Sequence, residues 1–336
     1  MAVCYKKPRR QLLFREAIEL TSKADVPAYR QYLAAFHRDF GYKWALVASD
    51  KVYHLQKALA IYKVLAEEYP YTGYELNYIE TSYNLAVTLV KAGRQTEAEQ
   101  LISELPPRTA TEFVLRGLHY YRTLGQHQKA RADFEQAINL GTTNGYIWYL
   151  VALLRLAEQD VQGYRKACEA MLEKFAESEA ADDLHWVAWA CVLTPDSVDD
   201  YSRPIELAER AVTANPDNIR YGLGLGAMLY RAGNFDEALE ALNRSDKSKA
   251  SSRTSPAYGW YFLAMTHHKL GDESQAKEWF DKAVTRAETE LDETQDDRAP
   301  VAWNRRLTLE LLRQEAEKLL GIPTVAPKPM PDQDRN

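Results

Sequence analysis

The sequence predicts an all-α protein built from repeated pairs of antiparallel helices. Three observations carry this. Long apolar patterns at helical spacing dominate the 336 residues, and valine-rich alternating runs are rare. Glycine (15) and proline (14) are modest in number for a chain of this length, so most of it is free to form uninterrupted helices. Third, the chain repeats itself. YNLAVTLVKAGRQTEAEQLI (83–102), LGLGAMLYRAGNFDEALEAL (223–242) and YFLAMTHHKLGDESQAKEWF (261–280) align residue for residue.

The aligned positions have physical roles. A small residue (Ala86, Gly226, Ala264) lets the second helix approach the first. Seven residues on, Gly93, Gly233 and Gly271 end the first helix, where positive φ costs a glycine least. Ala98, Ala238 and Ala276 sit at the helix crossing, and Ile102, Leu242 and Phe280 fill the gap towards the next pair. This pattern resembles the tetratricopeptide repeat (TPR), a helix pair of about 34 residues. The resemblance implies a TPR-type α-solenoid, a right-handed superhelix of antiparallel helix pairs.

The register extends in both directions. Residues 111–144 carry Gly125, Ala130, Phe134 and Ala137 in the same places. Residues 145–178 carry Trp148 and Ala152, but Gln159 replaces the turn glycine and Tyr164 the crossing alanine, so a longer or distorted turn is expected there. Residues 185–218 end in ELAERAVTANPDN, and Pro204 at the crossing position implies a second helix that starts late, after TPDSVDDYSR. A further unit at 39–72 rests on ALAIYKVLAEEYP. About seven units then cover residues 39–290, with short insertions at 73–78, 179–184 and 253–256.

The flanks differ. Residues 1–38 hold N-terminal helices that form a degenerate repeat or a cap, with Val26, Tyr29, Leu33, Phe36 and Phe40 on one apolar stripe. Residues 291–321 comprise an acidic connector and a capping helix. Pro300 and Gly321 punctuate that helix, and Trp303, Leu307, Leu311 or Leu312, and Leu319 should lie on the array. The proline-rich tail, 322–336, is expected to be disordered.

Composition excludes several functions. Lys plus Arg is 42 and Asp plus Glu is 48, a net charge of −6, which argues against nucleic acid and anionic membrane surfaces as partners. No apolar run reaches the roughly 20 residues that span a bilayer. The first residues, MAVCYKKPRRQLLF, have no apolar segment of the secretory kind, so a cytoplasmic protein is expected. Three cysteines without a C-x-x-C make neither a disulfide framework nor a zinc site. Cys168 and Cys191 read as small core residues.

Chemistry-bearing motifs are missing. There is no P-loop, HExxH, GxSxG, HRD or DFG signature. Gly222, Gly224 and Gly226 fall inside a predicted helix rather than after a strand. His267 and His268 are adjacent and point about 100° apart on a helix, too far to share one ion. No catalytic residue, cofactor or metal is expected. An enzyme centred on His119, His127 and Glu112 is the least favoured reading.

The resemblance implies a concave face lined by the first helix of each pair. Its positions two and five bring Tyr83, Tyr146, Tyr149, Trp186, Trp189, Tyr258 and Tyr261 to that face, with His119, Arg122, Tyr230, Arg231 and His268 nearby. An aromatic-lined groove of this kind suits an extended peptide or a helix. The alternative is that some of these rings pack between neighbouring first helices or against a terminal element. A chaperone-type carboxylate clamp is not expected: Asn84 and Arg116 are present, but the matching lysines and second asparagine are not.

A narrower likeness runs from about residue 58 to 321. ADFEQAINL, WYLVALLRLAEQDVQGYRKACEAMLEKF, HWVAWACVLTPDSVDD and AWNRRLTLELLRQEAEKLL resemble the C-terminal repeat regions of large modular bacterial Ser/Thr protein kinases. The kinase motifs themselves are absent. Two functions follow: a non-catalytic protein–protein interaction scaffold with a peptide or protein ligand, or the detached recognition arm of a kinase system, whose partner is a kinase or its substrate.

Overall fold

A computed structural model describes residues 27–45, 47–70, 73–105, 107–247, 254–292 and 302–323. The expected helix before residue 27, the basic cluster Lys6, Lys7, Arg9 and Arg10, Cys4 and most of the proline-rich tail lie outside these residues. The described residues form α-helices and two short π-turns, with no strand among them. They divide into two compact units, Met1–Ala130 and Arg131–Asn336, the division falling inside one helix.

The first unit contains α1 (Pro27–Asp39), α2 (Ala48–Glu68), α3 (Tyr74–Lys91), α4 (Gln95–Ser103) and α5 (Ala110–His119), and the start of α6 (His127–Asn139). Helix α1 runs into a π-turn at Phe40–Trp44 and packs on α2. The first described pair is therefore 27–68, where the sequence placed a unit boundary at 39. Ala34, Ala58, Tyr62 and Leu65 form its core. Tyr29, expected on the apolar stripe, is exposed, because α1 turns its Ala34 and His37 edge inwards, in line with Phe40 of the π-turn. The supposed insertion at 73–78 adds a turn to the start of α3 instead of making a loop.

The second unit continues with α7 (Gly145–Ala157), α8 (Val161–Lys174), α9 (Ala181–Cys191), α10 (Ser202–Ala214), α11 (Ile219–Arg231), α12 (Phe235–Lys247), α13 (Pro256–Lys269) and α14 (Glu273–Leu291), and ends with α15 (Trp303–Leu320). Helices α7, α9, α11 and α13 are first helices, and each packs on the second helix that follows it. Side-chain caps start several of them: Asn144, Asp160, Asn218, Ser255 and Asp272 each accept a hydrogen bond from a backbone N–H of the first turn. Helix α10 begins at Ser202 with Pro204 in its first turn, as the displaced proline implied.

Close approach explains one small residue directly. A Cβ on Gly226 would lie 2.7 Å from Leu242 Cγ and 3.1 Å from its backbone nitrogen, so α11 and α12 touch at backbone distance. The turn at Gln159 overturns an expectation. It is neither longer nor distorted: Gln159 N–H donates to Leu156 O (3.0 Å) and Asp160 N–H to Arg155 O (2.9 Å). The glycine turns show the same pair, as in Gly233 N–H to Tyr230 O (3.0 Å) and Asn234 N–H to Leu229 O (2.9 Å). Gln159 achieves this by adopting φ +60° itself. Tyr164, in place of the crossing alanine, is accommodated because its hydroxyl donates to the buried Ala190 carbonyl at 2.7 Å.

Candidate functional site

The site is built on the first helices of the second unit, and its main feature is an occupant. Helix α15 does not simply cap the last pair. It packs on α13 and α14 and reaches back to α7 and α11. Leu307, Thr308, Leu309, Leu312, Ala316 and Glu317 are buried in the process, a wider contact than the single apolar stripe the sequence suggested.

Polar contacts tie α15 to each neighbour. At its start, Asn304 and Thr308 lie beside the hydroxyl of Tyr149 on α7, and Arg305 lies beside Tyr258 on α13. Arg305 also lies 3.8 Å from Glu290 at the end of α14. Further along, Arg313 pairs with Glu288 of α14 at 3.2 Å and with Glu317 of its own helix at 2.8 Å. On the other side, Glu315 receives two hydrogen bonds from Arg231 of α11, one of them 2.7 Å from Nη2 to Oε2. The same guanidinium donates to the Val192 carbonyl from Nε (2.9 Å) and Nη2 (2.6 Å), so it joins α11, the end of α9 and α15. Burial works against the Arg231 charge, but Glu315 outweighs it and the pKa is raised.

Beyond the start of α15 the aromatic residues continue. Trp186 stacks on Tyr149 (ring centroids 4.9 Å, 28°) and meets Tyr146 at 4.9 Å. Trp189 meets Tyr258 at 5.5 Å. Arg220 lies 5.9 Å from the centre of the Trp186 ring, and both Arg220 and the Tyr221 hydroxyl donate to Asp182, at 2.7 and 2.8 Å. Tyr146, Tyr149, Trp186, Trp189, Arg220 and Tyr258, together with Asn304 and Arg305, line a cavity of about 510 Å³. A second cavity, about 470 Å³, lies at the other end of α15 beside Tyr230, Arg231, Glu315 and Lys318.

Burial corrects part of the expected groove. Tyr149 and Tyr261 are 2% and 0% exposed, and Tyr258, Trp189 and Tyr230 are also buried. These rings do not line an open channel; α15 and neighbouring rings cover them, the terminal-element alternative. Burial raises the phenol pKa of Tyr149 to about 12 and pushes those of Tyr230, Tyr258 and Tyr261 up as well. Only Tyr146 and Trp186 of this group stay half-exposed. His268 lies apart, in the last turn of α13, where its Nδ1 is 3.0 Å from Glu273. In the first unit Tyr83 is buried and stacks on His119 (4.0 Å, 11°), while Arg122 is exposed on the π-turn after α5. Burial lowers the His119 pKa to about 4, with Arg122 adding to the effect.

Sequence reasoning did not single out His185 and Tyr221, which pack at 5.4 Å in the middle of this face. A histidine on an apolar helix face carries no mark that distinguishes it. Nor did it pair Arg231 with Glu315, 84 residues away. Among the described residues no cluster of three or more His, Cys, Asp or Glu is placed to hold a metal ion, and no helix is long and apolar enough to cross a membrane.

A tetratricopeptide repeat model matches residues 114–140 and 257–290, and a second model of the same repeat matches 199–253. The matched stretches are tetratricopeptide repeats. The described residues as a whole are all-α, with helices packed in consecutive pairs. No curated protein sequence matches the chain. Among solved structures the chain is similar to a tetratricopeptide repeat protein from Parabacteroides merdae ATCC 43184, at 15% identity over 92% of this chain and 98% of that one, with a TM-score of 0.46. It is also similar to BtubC from P. vanneervenii (14% identity, 76% and 97% coverage, TM-score 0.43) and to a thermophilic TPR protein from Thermus thermophilus (16%, 64% and 100%, 0.41).

Proposed function

We propose that the protein is a non-catalytic interaction scaffold and that the first-helix face of the second unit receives a peptide or protein partner. TPR proteins in general mediate protein–protein contacts. One observation carries the specific reading: this face already seats an amphipathic helix, α15, through aromatic, apolar and ion-pair contacts from α7, α11 and α13. The half-exposed Tyr146 and Trp186, with Arg220 over the indole, supply the open part of the surface. Rings of this kind, held rigid by their neighbours, are the usual anchors of a binding interface.

The kinase-like wording from about residue 58 to 321 favours a Ser/Thr kinase or its substrate as the partner class. Testing the face does not require knowing which. A peptide selected from a display library on the intact protein should lose about tenfold or more in affinity when Trp186 is changed to Ala, with the melting temperature little changed. Undiminished binding by that variant, and by Tyr146→Ala, would place the binding surface elsewhere.

A further inference from the structure

We infer that α15 is a displaceable internal ligand, and that the face it covers takes, in trans, a leucine-rich helix of the same chemistry from a partner protein. That helix carries a carboxylate facing Arg231 and a guanidinium facing Glu288. The inference rests on the reading of this face as the binding surface and adds the identity of the ligand class and its control.

Two observations support it. First, the contacts of α15 are directional. Arg313 and Glu315 lie about 200° apart around the helix axis, since each residue turns it by about 100°. The basic flank therefore meets the acidic end of α14, and the acidic flank meets Arg231 of α11. Opposite charges on opposite flanks fix both the rotation and the direction of a helix lying here, as a recognition surface requires.

Second, the fit of α15 is incomplete. The Tyr261 hydroxyl and Glu317 Oε2 are buried where α13 meets α15, and neither has a hydrogen-bond partner. Each such group subtracts from the docking of α15. A cavity also borders each end of the helix. By contrast, the pair contact between α11 and α12 closes to backbone distance at Gly226.

A fluorescent peptide of residues 302–323 added to the full-length protein tests this. The wild-type chain should bind it weakly, because its own α15 competes. Full-length Glu315→Arg, whose internal helix now faces Arg231 with like charge, should bind the wild-type peptide at least about tenfold more tightly. A peptide carrying Glu315→Arg should not bind that variant, and should bind a chain in which Arg231→Glu has been introduced. Circular dichroism establishes that each variant is folded. If Glu315→Arg does not fold, a protease site placed within 293–301 of the wild-type chain gives the same information: after cleavage, labelled peptide should exchange with the native helix. A folded variant that ignores the peptide, or a cleaved chain that never exchanges, overturns the inference. So does a variant that answers by exchanging helices between two copies as a dimer, since the trans helix is then its own. If display-selected peptides still depend on Trp186 and Tyr146 in those cases, the binding face stands and only the role of α15 falls.

Discussion

Arg231 on α11 holds Glu315 on α15 in a two-point ion pair, with only 3% of the arginine side chain exposed. A charge so enclosed is tolerated because Glu315 and the Val192 carbonyl together satisfy its donors. Removing Glu315 alone strands the guanidinium. Glu315→Ala should therefore cost about 3 kcal/mol in urea denaturation. Replacing both partners, Arg231→Met with Glu315→Leu, should cost clearly less than the sum of the single changes. Additive losses in that double-mutant cycle would mean that the two side chains act independently.

Gln159 offers a test of the turn geometry. It occupies the left-handed region at φ +60°, where the equivalent residues of three other pairs are Gly93, Gly233 and Gly271. An L-residue is strained there by roughly 1–2 kcal/mol, partly offset by the greater freedom of glycine in the unfolded chain. Gln159→Gly should raise stability by about 0.5–1 kcal/mol, and Gly271→Ala should lower it by a similar amount. A loss of stability in Gln159→Gly, measured by thermal melting, would contradict the assigned backbone conformation.

Protonation of His185 gives a signature in acid. Burial lowers its pKa to about 3, assisted by Arg220 and opposed by Asp182. In the unfolded chain a histidine titrates near 6.5. Between these values the unfolded state binds more protons, so stability is complete above about pH 6.5 and falls as pH drops towards 3. From pH 6.5 to 5 the loss from this residue should be about 2 kcal/mol. His185→Gln should flatten the dependence of melting temperature on pH over that range. His37 and His119, each lowered to about 4 chiefly by burial, contribute in the same direction and leave a residual slope.

The aromatic residues separate into two classes that mutation should distinguish. Tyr261→Ala removes a fully buried ring and should cost about 3–5 kcal/mol of stability. Trp186→Ala, at the half-exposed edge, should cost much less while affecting partner binding. Equal destabilisation by both substitutions would show that Trp186 is core and not surface.

The repeated helix pairs were legible because they depend on local rules: Gly93, Gly233 and Gly271 mark turns, and Ala98, Ala238 and Ala276 mark crossings. The start of α10 followed from Pro204 in the same way. The turn at Gln159 was misjudged because the backbone can adopt a left-handed conformation without glycine when the surrounding hydrogen bonds compel it. The site was only half legible. Positions two and five of the first helices do gather the aromatic residues, as Tyr146, Tyr149 and Trp186 show. What covers them depends on α15 folding back across α7, α11 and α13. Nothing within the sequence of any one repeat encodes a contact such as Arg231 to Glu315.

The seating of α15 as a separable element is the claim on which the functional account depends, and native-state hydrogen exchange of the intact protein measures it directly. The α15 amides should be protected, but should exchange at lower opening free energy than those of α11 and α13, as an element that opens by itself. Exchange of α15 at unfolded-chain rates, or in one step with α11 and α13, would contradict the account.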